Sequence, residues 1–321
     1  MLSVEITGIR LENPLILAAG ILGSTGASLG RVARAGAGAV VTKSLGVVPR
    51  PGYRNPCIVQ LDHGFINAVG LQNPSYKHFM DEIEIARKVG ISSNFKESGG
   101  FPDIRSGTPI MASIFGGTPE EFEEIVTAMS GHVNGFELNL SCPHAEGYGA
   151  EIGGDTMIVE DVTRAVKNVT DLPLWVKLTP NVRDITTIGL AAQKGGADAV
   201  VAINTLRAMA IDVESGHPIL SNRFGGLSGA PIKPVAVKAV YDLYKTLDIP
   251  IIGVGGISSW EDAVEMMMAG ASAVEIGSAV YTGLELFEEI CDGISKYLER
   301  KNMGLDEIVG IAHRKGGTGK R

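Results

Sequence analysis

Gly135-Phe-Glu-Leu-Asn-Leu-Ser-Cys-Pro-His144 is the stretch around which the rest of the chain is arranged. Alternating Phe136, Leu138 and Leu140 read as a short buried strand, yet the run ends on Asn139, Ser141 and Cys142, groups poorly suited to packing alone. Pro143 stops the ladder, and His144 to Gly154 is glycine-rich without an apolar period, so a loop follows directly after a thiol. A reactive side chain between a strand and a covering loop is a reasonable active-site element; the alternative is a buried, inert cysteine.

Working outward, seven further apolar runs of the same kind recur: Leu15–Gly20, Ala39–Leu45, Pro109–Gly116, Leu174–Pro180, Ala197–Asn204, Pro250–Ile257 and Ala273–Val280. Segments of helical period separate them, at Ala27–Gly36, Tyr76–Gly90, Pro119–Gly131, Asp155–Val169, Asp184–Gly195, Ile232–Thr246, Trp260–Gly270 and Leu284–Lys301. Near-continuous Val/Ile/Ala runs imply strands buried on both faces and therefore parallel. Eight strand-helix repeats point to an α/β fold, a closed (β/α)8 TIM barrel, with a doubly wound sheet as the alternative. Thr118-Pro-Glu-Glu and Ser258-Ser-Trp-Glu-Asp carry helix-start signals, and the phrases around Gly36, Gly196 and Gly270 carry left-handed helix stops. Two connections are long, Gly46 to Ser75 and Leu206 to Ala230. Both follow strand C-termini, so they are expected to roof the mouth of the barrel, the second through a small hairpin within Ile211 to Leu220. Asn94–Gly107, before the third strand, is expected to be a surface excursion at the opposite end.

Composition bounds the rest. The chain has 321 residues, 45% hydrophobic, a formal charge of −8 and no extended basic stripe, which argues against nucleic acid as the main partner. No apolar run approaches the roughly 20 residues of a membrane span, and no leader pattern opens the chain, so a cytoplasmic location is expected. Cys57, Cys142 and Cys291 are odd in number and widely spaced, suggesting neither a disulfide framework nor a metal centre. Residues 1–312 are expected to form one barrel domain, and the basic, glycine-rich 313–321 a disordered tail.

In a barrel the strand C-termini converge on one mouth. There the second strand delivers Lys43 and Ser44, the third Ser113, the fourth Asn139 and Cys142, the fifth Lys177, and the sixth Asn204 and Thr205. Buried lysines and amides need partners, and at such a mouth the partner is expected to be a ligand. Gly253-Val-Gly-Gly-Ile-Ser-Ser and Glu275-Ile-Gly-Ser-Ala, after the seventh and eighth strands, allow backbone N–H groups to approach an anion at a helix N-terminus. That pattern points to a phosphate-bearing ligand; tight strand–helix packing is the alternative.

These phrases, together with VTKSLG (Val41–Gly46), NAVGLQNP (Asn67–Pro74), ELNLSCPH (Glu137–His144), VKLTPNV (Val176–Val182), INT (Ile203–Thr205) and GGLSG (Gly225–Gly229), resemble the class 1 dihydroorotate dehydrogenases. They occur in order over nearly the whole chain. The cysteine of NLSCP separates them from the class 2 membrane enzymes, and the phrase GLQN is most similar to class 1B. The resemblance implies FMN-dependent oxidation of dihydroorotate to orotate in pyrimidine biosynthesis. Cys142 would take the C5 proton, and the C6 hydride would pass to flavin N5. It implies FMN contacts from Ala19, Lys43, Ser44, Ser113, Asn139, Lys177, Ile203, Gly229, Gly255, Gly256, Gly277 and Ser278. Substrate contacts are implied from Lys43, Asn67, Ala68, Val69, Gly70, Leu71, Asn139, Asn204 and Thr205, with Lys43 also assisting the thiolate. A homodimer is implied, or a heterotetramer with a subunit carrying FAD and a 2Fe-2S cluster that passes electrons to NAD. Ala19, Ser113 and His144 depart from residues common in the family. Cys-Pro-His also resembles the pyrimidine-reducing domain of dihydropyrimidine dehydrogenases, so a uracil-type substrate stays open, as does a fumarate-linked class 1A enzyme.

Overall fold

Eight parallel strands close into a barrel in the computed structural model, which describes residues 2–90, 107–140 and 152–314. The barrel strands are β1 (Leu15–Leu17), β2 (Ala39–Val41), β3 (Ile110–Ile114), β4 (Gly135–Asn139), β5 (Leu174–Leu178), β6 (Ala199–Ala202), β7 (Ile251–Val254) and β8 (Ala273–Ile276). Each pairs with its sequence neighbours, and β8 pairs with β1 to complete the ring. The helices between them are α1 (Gly26–Arg34), α2 (Tyr76–Gly90), α3 (Pro119–Met129), α4 (Thr156–Lys167), α5 (Ile185–Gly195), α6 (Lys233–Tyr244) and α7 (Trp260–Ala269), with α8 (Leu286–Lys301) closing the series. The expected TIM barrel is therefore the fold, and the doubly wound alternative falls because the sheet has no edge.

The alternation within each strand divides the core in two. Outward residues such as Leu17, Val40, Phe136, Leu138, Val176 and Ile276 pack against the helices. Inward residues, among them Ile16, Val41, Met111, Trp175, Val201 and Ile252, fill the lumen. Strands buried on both faces need apolar residues at every position, which explains why these runs read as continuous rather than alternating.

Local chemistry sets the boundaries. Thr118 accepts a hydrogen bond from Glu121 N at the start of α3, with Pro119 in its first turn. Gly36, Gly196 and Gly270 stand at φ of 97°, 97° and 127° just past α1, α5 and α7, a conformation that costs other residues far more.

The expected roof is present in a form not foreseen. Ile58–Leu61 and Gly64–Asn67, from the first long connection, join Leu206–Ala208 and Gly225–Ser228, from the second, in one four-stranded antiparallel sheet. The Gly64–Asn67 and Gly225–Ser228 strands clasp the two insertions together, pairing Asn67 with Gly226. The small hairpin forms between Ile211–Asp212 and His217–Pro218.

At the opposite end the antiparallel pair Val4–Ile6 and Ile9–Leu11 plugs the lumen. Ile6, Ile9 and Leu11 join the inner core, and Trp175 Nε1 donates to Thr7 Oγ1 across 3.0 Å. The surface excursion expected at Asn94–Gly107 falls almost wholly outside the described residues. At the boundary expected between 312 and 313, His313 Nε2 donates to the Ala269 carbonyl at 2.9 Å, and its ring stacks on Tyr241 at 3.9 Å. Residues 315–321 lie outside the described residues. No helix among the described residues is long and apolar enough to cross a membrane.

Candidate active site

A cavity of about 1480 Å³ opens at the C-terminal ends of the strands, between the barrel and the clasped roof. Ala19 reaches it from β1, Lys43 and Ser44 from β2, Asn139 from β4 and Lys177 from β5. Ile203, Asn204 and Thr205 follow β6, Gly255 and Gly256 follow β7, and Gly277 and Ser278 follow β8. The roof contributes Asn67 to Leu71 and Gly229. One cavity thus gathers nearly every residue that the sequence placed at the mouth. Cys142 lies outside the described residues.

Ser113 is the exception. It is fully buried behind Ser44, with the two hydroxyl oxygens 2.9 Å apart, and it does not line the cavity. Ser44 in turn accepts from Asn139 Nδ2 at 3.0 Å, so a chain of three side chains from β2, β3 and β4 fixes the Asn139 amide. Its inward direction follows from the strand alternation, since Asn139 stands two residues from Glu137 on the lumen face.

Neighbouring polar ends are fixed in the same way. Asn67 Nδ2 donates to the Gly226 carbonyl at 3.2 Å, and Asn204 Oδ1 accepts from Thr205 N at 2.8 Å. Asn181 was not singled out in the sequence, yet its side chain donates to the Thr205 carbonyl at 3.0 Å and to Thr179 at 3.1 Å, and accepts from Arg207 N at 2.9 Å. It ties the end of β5 to that of β6. The signal was its place just past a strand, where an asparagine has backbone groups to satisfy.

Lys43 is half-buried in the cavity wall and makes no ion pair among the described residues. Burial holds its ammonium below the ordinary lysine range, an effect that the charge of Cys57 opposes. Lys177 differs. The expectation was that its partner would be a ligand, but Nζ lies 2.7 Å from Glu275 Oε2 and 3.5 Å from Glu137 Oε1. Neither glutamate was picked out beforehand. A carboxylate inside a strand read as buried on both faces has nowhere to go but the lumen, and that was the available signal.

The glycine turns at β7 and β8 leave room that side chains would take away. A Cβ on Gly256, at φ 73°, would come within 2.6 Å of Lys233 Cβ and 2.9 Å of the Gly229 carbonyl oxygen. A Cβ on Gly277 would meet only Ala18 Cβ at 3.7 Å, so glycine there keeps cavity space open. The backbone N–H groups of Gly255, Gly256, Gly277 and Ser278 donate to no backbone acceptor among the described residues. The expected helix N-terminus after β7 is otherwise engaged. Asp262 Oδ2 accepts from Ser258 N and Ser259 N at 2.9 and 3.0 Å, and Ser259 Oγ accepts from Asp262 N at 3.3 Å, closing a capping box. The donors left for an anion here are those of the glycine turns.

Fold and site together define the class, a (β/α)8-barrel enzyme with its site at the strand C-termini. Residues 1–298 match the sequence model of dihydroorotate dehydrogenase, and the chain belongs to that family of oxidoreductases. It is 59% identical over 307 residues to the dihydroorotate dehydrogenase B (NAD(+)) catalytic subunit of Methanocella arvoryzae, covering 96% of each chain. It is 58% identical over 315 residues to the protein of the same name from Methanosarcina mazei, covering 97% of this chain and 95% of that one. With that of Pyrococcus horikoshii it shares 53% over 314 residues, covering 97% and 98%. Their shared name describes a subunit, so those relatives work with at least one further chain. Membership of the family implies a flavin cofactor.

Proposed function

We propose that this chain oxidises (S)-dihydroorotate to orotate in pyrimidine biosynthesis, using FMN. The observation that carries the reading is that one cavity gathers two kinds of lining. The glycine turns after β7 and β8, with uncommitted backbone donors, suit a phosphate; the fixed amides of Asn67, Asn139 and Asn204 suit a small polar ring. The volume accommodates both ligands at once.

In this reading Gly255, Gly256, Gly277 and Ser278 hold the FMN phosphate. Ala19, Ser44, Ile203 and Gly229 line the ring system, with Ser113 acting only through Ser44. FMN, when bound, supplies the hydride acceptor for C6 of the substrate. Asn67, Asn139, Asn204 and Thr205 orient the pyrimidine and its carboxylate, with Ala68 to Leu71 closing over it. The Cys142 thiolate takes the C5 proton, and Lys43, which has no ion-pair partner among the described residues, favours that thiolate and the substrate carboxylate. Lys177 offers positive charge where negative charge develops on the ring.

We take the electrons to pass to NAD through a partner subunit, because relatives at 53 to 59% identity are named as NAD(+)-linked catalytic subunits. The class 1B resemblance puts FAD and a 2Fe-2S cluster on that partner, in keeping with three scattered cysteines here that do not suggest a cluster. The assembly is then a heterotetramer built on a catalytic homodimer, in the cytoplasm.

An anaerobic spectrum of the purified chain before and after L-dihydroorotate tests the reading. A flavin band that bleaches on mixing is the expected result, and Cys142→Ala should keep the band and lose the bleaching. A yellow protein that stays yellow with dihydroorotate but bleaches with dihydrouracil would overturn the assigned substrate. Normal turnover by Cys142→Ala would overturn the assigned base.

A further inference from the structure

Glu137, Lys177 and Glu275 form a charge cluster inside the barrel, of which the proposed scheme uses only the lysine. The residues come from β4, β5 and β8, and Lys177 crosses the lumen to reach Glu275. Both glutamates are 0% exposed and Lys177 is 6% exposed. Lys177 and Glu275 reach the cavity floor, whereas Glu137 lies beneath it. Barrel interiors are ordinarily filled by apolar layers, as Trp175, Val201 and Ile252 do here, so three ionisable groups in this layer need an explanation.

Charge counting supplies one. An unbalanced charge is costly to bury, and a single ammonium balances a single carboxylate. Lys177 Nζ makes its close contact with Glu275, at 2.7 Å. Among the described residues neither oxygen of Glu137 has a hydrogen-bond partner, and the nearest cation is the same Nζ at 3.5 Å. Glu137 is thus the carboxyl that keeps its proton. Consistently, burial first and then the Glu275 charge raise it well above the ordinary carboxylate range. Burial opposes the charge on Lys177, yet the group is raised above the ordinary lysine range, and its direct contact with Glu275 keeps it an ammonium.

We propose that Glu137 and Glu275 are positioning residues for Lys177: Glu275 anchors and neutralises the ammonium, Glu137 stands by as a neutral acid, and together they set how much positive charge the cavity floor offers the bound ring. The inference rests on reading the cavity as a flavin site. It implies that Lys177 presents a compensated charge rather than a full one, and that the Glu275 carboxylate holds the flavin potential below the value a lone lysine would impose.

The test combines one measurement without flavin and one with it. In the infrared difference spectrum between flavin-free wild type and Glu137→Gln, the wild type should show the C=O stretch of a protonated carboxyl that the variant lacks. Absence of that band overturns the neutral assignment of Glu137. In the reconstituted protein near neutral pH, Glu275→Gln should move the flavin midpoint potential positive, while Glu137→Gln, isosteric with a neutral acid, should leave it in place. An unmoved potential in Glu275→Gln, or an equal shift in both variants, overturns the proposal. If Glu275→Gln does not fold, absence of the infrared band or a shifted potential in Glu137→Gln still overturns the proposal. If the chain takes no flavin at all, the cofactor reading has failed, and the infrared result separates that failure from this one.

Discussion

At the scale of single residues, the site is defined by which polar groups already have partners. Asn139 is fixed through Ser44 and Ser113, and Lys177 is compensated by Glu275, whereas Lys43 has no ion-pair partner among the described residues. The described thiols divide similarly. Burial first, then Asp292 and Glu288, push the Cys291 thiol up to about 11, while Cys57 is half-exposed beside Asn55 at the rim of the first insertion. Since the thiolate is the reacting form, iodoacetamide at mildly alkaline pH should label Cys57 well before Cys291, as peptide mass spectrometry would record. Labelling of Cys291 at the rate of Cys57 would contradict its described burial. Residue identity made Lys43, Asn139 and Asn204 legible in the sequence, because their places at strand ends aim them at one mouth. It could not show that Lys177 meets Glu275, ninety-eight positions away, since that contact exists only once the barrel closes.

At the scale of elements, every barrel strand and its helix could be read from apolar runs and glycine stops. The strands proved shorter than the runs, because ladder pairing ends where the chain turns outward to build the mouth. Ala39–Leu45 narrows to Ala39–Val41 for this reason, and the residues trimmed away include Lys43 and Ser44. The shared roof sheet was not legible, because its strands are short, glycine-rich and drawn from insertions that begin more than a hundred residues apart. The start of α7 offers a direct test. Burial alone would raise the Asp262 carboxyl, but Lys233 and the Ser258 amide and hydroxyl outweigh it, and it sits below its ordinary value. A lowered carboxyl contributes stability in full above its unfolded value and loses it as pH falls through the folded one. Asp262→Asn should therefore cost about 1–2 kcal/mol in urea unfolding at neutral pH, from the weakened cap and the Lys233 pair, and the deficit should shrink in acid. A deficit that grows in acid would refute that account of the cap.

At the scale of the whole molecule, the barrel has two unlike ends. The loop end carries the cavity and its roof, and the other is stoppered by the Val4–Leu11 hairpin, whose Ile6, Ile9 and Leu11 reach into the inner core. Leu11 is fully buried there, so Leu11→Ala should cost about 2–5 kcal/mol, with the melting temperature lowered and flavin absorbance at low temperature unchanged. Loss of the cofactor from a still-folded variant would show that the hairpin does more than stabilise.

The stopper also governs traffic. Among the described residues the base is stoppered and the cavity lies at the roofed end, so in the proposed reading the molecule that delivers electrons and the one that collects them both approach from that side. Product departure and electron collection then share one face of the barrel, and whatever docks on the roof bears on both.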